Sequence, residues 1–224
     1  MRPTVQPVKF ELLAGLSEAD QRVVLARMVR RSFRKGEVLF HEGDPGDSLH
    51  LIEKGRVAVR PSTPDGEVVT LAILGAGESF GEQALLTADS RRTASVVALE
   101  PVETRVLYRR DVDELRTTQP SIDRLLIEVL AGQVRRLSQR VLEALYDPAD
   151  RRVLRRLKEL TELYDEGASP IVIGLRQDDL ATMAGTTRST TNRVLQQLVE
   201  ASVVTVRRGR LEVHDVPALR KRAR

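Results

Sequence analysis

Residues 80–97 constrain this chain more than any other stretch. They read Phe80-Gly81-Glu82-Gln83-Ala84-Leu85-Leu86, a polar turn, then Arg91-Arg92-Thr93-Ala94-Ser95-Val96-Val97. The first half predicts a tight turn feeding one short helix, and the second a strand that begins with paired arginines. A short helix leaves backbone N–H groups unpaired at its N-terminus, where anions settle. Glycine at position 81 lets a phosphate approach the backbone, Glu82 offers a carboxylate to a sugar hydroxyl, and Arg92 offers a planar fork for phosphate. Together these residues describe a clamp for a phosphate and a ribose.

The string Phe-Gly-Glu, a helical Ala-Leu-Leu, and Arg-Arg-Thr-Ala-Ser-Val with ten residues from Glu82 to Arg92 resembles the phosphate-binding cassette of cyclic-nucleotide-binding domains. The resemblance implies that Glu82 holds the ribose 2′-hydroxyl and that Arg92 with Thr93 holds the cyclic phosphate. The ligand-binding residues it implies are Phe80, Gly81, Glu82, Gln83, Ala84, Arg92 and Thr93.

A chain of 224 residues is long for one domain and short for three, so two domains with a connector are expected. No cysteine is present, which excludes disulfides, thiolate metal sites and cysteine-bound iron–sulfur clusters. His41, His50 and His214 are scattered, so neither a metal site nor haem is expected. The N-terminal Met1-Arg2-Pro3-Thr4-Val5 has no apolar core of a leader, and no stretch reaches the length of a membrane span, so a cytoplasmic location without membrane contact is expected. Net charge is about +1 over residues 1–110, −2 over 111–147 and +5 over 148–224, giving +4 in all. The basic excess lies at the C-terminal end. Arginine supplies nearly all of the positive charge, so each arginine is weighed by its context.

Residues 10–31 carry Leu12, Leu13, Leu16, Val23, Val24, Leu25, Met28 and Val29, with Ser17 as a helix start followed by Glu18 and Asp20. This predicts helical packing against the adjoining domain. From Phe33 to Tyr108 short apolar runs alternate with glycines. Strands are expected at Val38–Phe40, Leu49–Ile52, Val57–Val59, Val68–Ile73, Ser95–Ala98 and Glu103–Tyr108, with turns at Asp44-Pro45-Gly46-Asp47 and Thr63-Pro64-Asp65-Gly66. Such strands make a jelly roll or barrel-like sheet. A generic antiparallel sandwich would show the same punctuation; the cassette helix among the strands favours a nucleotide-binding roll.

A small helix is expected at Asp111–Thr117, and a long one from Pro120 to Tyr146. Ile127, Leu130, Val134, Leu137, Val141 and Ala144 recur at alternating steps of three and four, the seam of a two-stranded coiled coil. A second stripe, Ile122, Leu125, Leu126 and Val129, is free to pack on the chain's own β-domain. One helix thus has two tasks, although both stripes could be intramolecular. Asp147 is the expected N-cap of the next helix, with Pro148 at its first position and Asp150 at the third; that helix should end near Gly167.

A strand at Ile171–Leu175 precedes a helix-turn-helix pattern. Leu180, Ala181, Met183 and Ala184 form the inner face of one helix, Gly185 the turn, and Val194, Leu195 and Leu198 the inner face of the next. Thr187 would cap the second helix, which presents Arg188, Ser189, Asn192, Arg193 and Gln196 outward. Arginines there suit guanine edges and threonine hydroxyls suit phosphates. Val203–Val206 and Arg210–Val213, joined by Arg207-Arg208-Gly209, predict a hairpin wing. The tail Arg220-Lys221-Arg222-Ala223-Arg224 reads as a solvated end that can add phosphate attraction.

The expected fold class is α+β: a cyclic-nucleotide-binding β-roll (jelly roll) over residues 1–119, a dimerisation helix over 120–146 and a winged helix-turn-helix over 147–224. Cassette, long helix and winged helix-turn-helix together resemble the cyclic AMP receptor protein and FNR family of bacterial transcription regulators, over residues 10–215. The resemblance implies Arg188, Ser189 and Arg193 at base-reading positions and Arg176, Thr187 and Thr190 at phosphate-contacting ones. Gln177, Asn192, Arg208 and Arg210 complete the expected DNA surface. Ser189 stands where the receptor protein has a glutamate, which alters the half-site read. Leu137 and Ser138 stand where its long helix contacts adenine, so they join the expected ligand residues while the base-recognising half of the pocket is changed.

The function expected is a homodimeric transcription regulator that is not an enzyme, with a cyclic nucleotide as effector, cyclic AMP first and cyclic GMP second. Its expected partners are double-stranded DNA at a two-fold symmetric site, a second copy of itself and RNA polymerase. Two other readings stay open: a ligand-independent DNA-binding regulator with a vestigial pocket, and a nucleotide-binding signalling module acting on a protein partner.

Overall fold

The computed structural model describes residues 8–85, 90–119 and 121–223. Of the residues named from the sequence, Met1–Val5, Leu86, Pro120 and Arg224 lie outside the described residues. The chain divides into two compact units: one runs to Ser62 and takes up again over Ile73–Arg136, and the other comprises Thr63–Ala72 and the chain from Leu137 onward.

The first unit opens with a 3-10 turn, Glu11–Leu13, and helix α1, Glu18–Arg27. The Ser17 hydroxyl caps α1 by accepting from the Asp20 amide, as the sequence predicts. The helical region is shorter than residues 10–31, because Val29–Phe33 forms strand β1 on the edge of a sheet. Val29 and Val23 are exposed, so they are not part of a buried helical stripe.

Two four-stranded antiparallel sheets make up the body of this unit. Their remaining strands are β2 (Val38–Phe40), β3 (Ser48–Lys54), β4 (Val57–Arg60), β5 (Ala72–Leu74), β6 (Ser79–Phe80), β7 (Ser95–Ala98) and β8 (Val102–Tyr108). They order as β1-β8-β3-β6 and β2-β7-β4-β5, the two layers of a roll. Side chains alternate across β3. Leu49 and Leu51 pack with Phe10, Leu13, Val24, Leu107, Val112 and Leu115 under the helices, while Ile52 joins Val57, Phe80, Val96, Ala98 and Val102 in a second core. Both faces of β3 are therefore buried, and Ser48–Ile52 are buried without a break.

The expected strand Val68–Ile73 is mostly absent. Only Ala72–Leu74 pairs in the sheet, and Val68 and Leu71 are exposed. In the second unit Thr70 is instead held by α5 (Gln177–Met183): its hydroxyl donates to Asp179 at 2.6 Å and its carbonyl accepts from Thr182 at 3.1 Å. The second bond gives the Thr70 carbonyl the partner that a strand ladder would otherwise supply.

Helix α2 spans Arg109–Thr118 and α3 spans Ser121–Tyr146. Ile122 and Leu125 of α3 are buried in the helical core, with Leu126 and Val129 packed against it, as the second stripe predicts. Each fully buried side chain of this kind contributes about 1.5–3 kcal/mol. Ile127, Leu130, Val134, Leu137 and Val141 are all exposed large apolar side chains.

In the second unit α4 spans Ala149–Leu163, and Pro148, not Asp147, is its N-cap. The Asp147 carboxylate is engaged by Arg151 at 3.4 Å and Arg155 at 2.9 Å. A charge-assisted pair with guanidinium outcompetes the cap. Glu143, buried at the last turns of α3, binds both Arg155 at 2.7 Å and Arg156. The helix ends at Leu163, short of Gly167, because the chain turns over Tyr164–Ser169 toward the strand.

Strand β9 (Ile171–Ile173) pairs with β11 (Arg210–Val213), which pairs with β10 (Val204–Arg207). Between them lie α5 and α6 (Arg188–Glu200), turned at Gly185, whose φ is 58°. The basic tail begins within a helix: Val216–Arg222 forms α7, capped by Asp215, with Leu219 fully buried, while Arg220, Lys221 and Arg222 are exposed and Arg220 lies 3.4 Å from Glu162. The Asp-Val-Pro sequence is a helix-start signal, and a single buried leucine anchors the turn. Among the described residues no helix is long and apolar enough to cross a membrane, and no group of three or more His, Asp or Glu side chains could hold a metal ion.

Candidate functional site

The cassette takes shape at the end of β6. Phe80 is buried and stacks on His50 at 4.9 Å; Gly81 adopts φ 80°, a left-handed conformation that other side chains rarely accept. Glu82–Leu85 then forms a 3-10 turn, up to the last described residue of this stretch. A Cβ on Gly81 would lie 2.6 Å from Arg92 Nη1 and 2.9 Å from the Ser48 carbonyl. Glycine is thus required twice, by its φ and by the guanidinium pressed against it.

Arg92 is the most constrained charge in this unit. It is 7% exposed. Its Nη1 donates to the Ser48 carbonyl at 2.7 Å, its Nη2 donates to Ser48 Oγ at 2.8 Å, and its guanidinium lies 4.0 Å over the Phe40 ring. Asp47 is 3.7 Å away and mostly exposed. Burial lowers the Arg92 pKa, opposed by Asp47, Asp44 and Glu82. Its Nε is buried and finds no hydrogen-bond acceptor among the described residues. A buried charged donor without an acceptor is costly, and an anionic oxygen brought to this point would satisfy it. The residues present therefore fit the cyclic phosphate that the sequence motif implies.

Beside Arg92, the His50 imidazole is enclosed by Phe33, Phe40 and Phe80 and meets Thr104 Oγ1 at 3.3 Å. Burial, then the Arg92 charge, lowers its pKa to about 3. It is a neutral spacer in an aromatic wall under the arginine.

Of the other expected ligand residues, Ala84 is buried, Gln83 and Thr93 are exposed, and Glu82 is half-buried. Glu82 is not free: its carboxylate accepts from the Gln133 side-chain amide of α3. Gln133 was not among the sequence candidates. The signal for it was slight, a neutral polar residue four positions before Leu137 between two apolar stripes. Leu137 and Ser138, expected at the base, are exposed and belong to the second unit.

In the second unit the expected DNA-contacting residues lie on α5, α6 and the wing, and four of them share one groove. Thr187 caps α6 by accepting from the Thr190 amide at 3.2 Å. Arg188, Ser189, Asn192 and Arg193 are exposed along α6, while Val194, Leu195 and Leu198 are buried beneath. Arg176, at the cap of α5, with Gln177, Arg188 and Arg208 lines an open groove toward the wing. Arg210 is exposed on the wing, 2.9 Å from Glu212. Arg188 and Arg193 are paired as well: Arg188 with Asp178 at 3.4 Å and Arg193 with Asp150 at 2.5 Å.

The chain matches the family model of the cyclic nucleotide-binding domain over residues 30–119 and that of the Crp-like helix-turn-helix domain over residues 151–222. It is 34% identical to the cyclic AMP receptor protein of Thermus thermophilus, over 93% of this chain and 94% of that one. It is 26% identical to the CRP-like cAMP-activated global transcriptional regulator of Mycobacterium tuberculosis, over 94% and 97%. Among solved structures it is similar to the catabolite activator protein of Thermus thermophilus, with a TM-score of 0.55, 33% identity and coverage of 95% and 97%.

Proposed function

This chain belongs to the cyclic AMP receptor protein and FNR family of bacterial transcription regulators, and on that premise we propose that it is a homodimer whose affinity for DNA is set by a cyclic nucleotide, cyclic AMP first. The observation that carries the effector reading is the buried Arg92, whose Nε has no acceptor among the described residues, beside a glycine that cannot bear a side chain. Arg92 would hold the cyclic phosphate with Gly81 and Thr93, and Glu82 would accept from the ribose 2′-hydroxyl. A ribose at Glu82 competes with Gln133 for the carboxylate, which gives α3 a direct stake in ligand binding. The ligand then shifts the population toward the arrangement whose contacts it completes.

The exposed seam of Ile127, Leu130, Val134, Leu137 and Val141, with Ala144, supports dimerisation through α3. In a two-fold dimer the α6 helices would enter major grooves about 34 Å apart. Arg188, Ser189 and Arg193 would read bases, and Arg176, Gln177, Thr187, Thr190, Asn192, Arg208 and Arg210 would serve as further DNA contacts. RNA polymerase is the further partner, and the cytoplasm the location, that this role requires.

The deciding experiment is a titration of DNA carrying two-fold symmetric sites with and without cyclic AMP or cyclic GMP, at fixed salt. Tighter, sequence-selective binding with cyclic AMP is expected. Equal affinity in all three conditions, with no nucleotide-induced rise in Tm, would favour the ligand-independent regulator. That second reading has its own support in the pairing of Glu82 with Gln133 and of Arg92 with Ser48, which leaves both side chains partnered without nucleotide.

A further inference from the structure

We propose that Arg109 is a positioning residue of the nucleotide site: its guanidinium fork ties the cassette turn to the loop that seats Arg92. This rests on the reading of the cassette as a cyclic-nucleotide site.

Arg109 is the first residue of α2, just after β8, and is half-buried. Its Nε donates to the Ala84 carbonyl at 2.7 Å, and its Nη2 donates to the Gly46 carbonyl at 2.6 Å. Its own amide donates to the Asp47 carbonyl at 2.8 Å. One residue therefore joins three points, on the cassette turn and on the loop of residues 44–48.

Both tied segments bear directly on the ligand. Ala84 closes the turn by donating its amide to the Gly81 carbonyl at 3.1 Å, so its position sets Gly81 and Glu82. Arg109 holds the Ala84 carbonyl of this turn from outside it. The loop on the other side encloses Arg92. The Asp44 carbonyl accepts from the Arg92 amide at 2.9 Å, and Ser48 accepts twice from its guanidinium. Gly46 lies between them, with its amide bonded to Ser90 at 2.7 Å, and a Cβ there would meet Ala84 Cβ at 3.3 Å. The two segments thus touch, and Arg109 spans their line of contact.

The chemistry requires arginine. Two carbonyls are held by one rigid planar group, whereas an ammonium would hold one at a time. The charge also reaches the site: Arg109 is one of the groups that lower the pKa of Arg92, so it adds positive potential where a phosphate would sit. It contacts the frame of the site and holds two segments that are otherwise far apart in sequence.

The test uses the full chain with Arg109→Met and Arg109→Lys, cyclic AMP binding by calorimetry, and hydrogen exchange without nucleotide. Arg109→Met is expected to weaken cyclic AMP by about ten- to a hundredfold, with Arg109→Lys in between. Exchange should quicken at the amides of Gly46, Ala84 and Arg92, with β3 and β8 unchanged. Wild-type affinity in both variants, or unchanged exchange at those amides, overturns the proposal. If Arg109→Met does not fold, Arg109→Lys decides: weakened binding at unchanged Tm supports the role, and unchanged binding refutes it. A wild-type protein that binds no cyclic nucleotide would remove the ligand reading, and the exchange measurement would still decide whether Arg109 orders the cassette.

Discussion

Arg92 in the β-roll and Arg188 and Arg193 on α6 are the same residue type proposed for related tasks, yet their surroundings are opposite. Arg92 is 7% exposed, lies over Phe40, is fixed by Ser48 and keeps one donor without an acceptor among the described residues. The side chains of Arg188 and Arg193 are 71% and 56% exposed and rest against Asp178 and Asp150. Exposed pairs of that kind contribute about 0–1 kcal/mol each, so they hold an arginine loosely and release it at little cost. In the roles proposed for them, the buried arginine would select one small anion and the exposed ones would exchange a carboxylate for DNA. Burial, more than residue type, separates the two roles.

The sharpest test of that contrast is a buried guanidinium deprived of its buried carboxylate. Glu143→Ala leaves the buried Arg156 with only the half-exposed Glu159, and Arg155 with Asp147. The loss should be about 3 kcal/mol in denaturant unfolding, the lower end for a broken buried pair. A loss below about 1 kcal/mol would place this network with the exposed pairs and break the comparison.

Next is Arg92→Leu, expected to weaken cyclic nucleotide by about 3 kcal/mol or more in calorimetry while leaving a folded chain. Unchanged affinity would remove Arg92 from the site.

On the exposed side, Arg188→Ala should cost about 1–3 kcal/mol of DNA binding and relax one base position. A footprint and base preference equal to wild type would show that α6 lies in a different register.

The smallest effect belongs to His50, the neutral neighbour of Arg92. The folded pKa, about 3, lies below the ordinary 6.5, so below pH 6.5 the unfolded chain takes up a proton that the folded one refuses. Stability should fall as pH drops from 6.5 toward 3, and between about pH 7 and pH 6 this group should account for about 0.7 kcal/mol. Unfolding measured at those two pH values for wild type and His50→Phe should show a smaller difference in the variant. Equal differences would mean that His50 is not shielded in this way.

Local elements were legible because their causes are local. Ser17 and Thr187 cap α1 and α6 through bonds spanning three residues, and the steps of three and four along α3 follow from helix geometry alone. The misread elements had competing causes outside their own neighbourhood. Asp147 has the chemistry of an N-cap, but Arg155 of α4 takes its carboxylate. Val68–Leu71 has the apolar pattern of a strand, but Thr70 is bonded to Asp179 and Thr182 of α5.

By itself the sequence determined the order of elements, the glycine at the crowded point of the cassette, the two stripes of α3 and the helix-turn-helix. Each depends on spacings of a few residues or on the conformational range of one. Only the tertiary structure decided which partners meet: Arg92 with Ser48, 44 residues apart, Gln133 with Glu82, 51 apart, and Arg109 with Ala84 and Gly46, 25 and 63 apart. Those pairings depend on sheet register and on how helices lie over the strands. No spacing along the chain encodes them, because hydrogen-bond partners are chosen by distance in space.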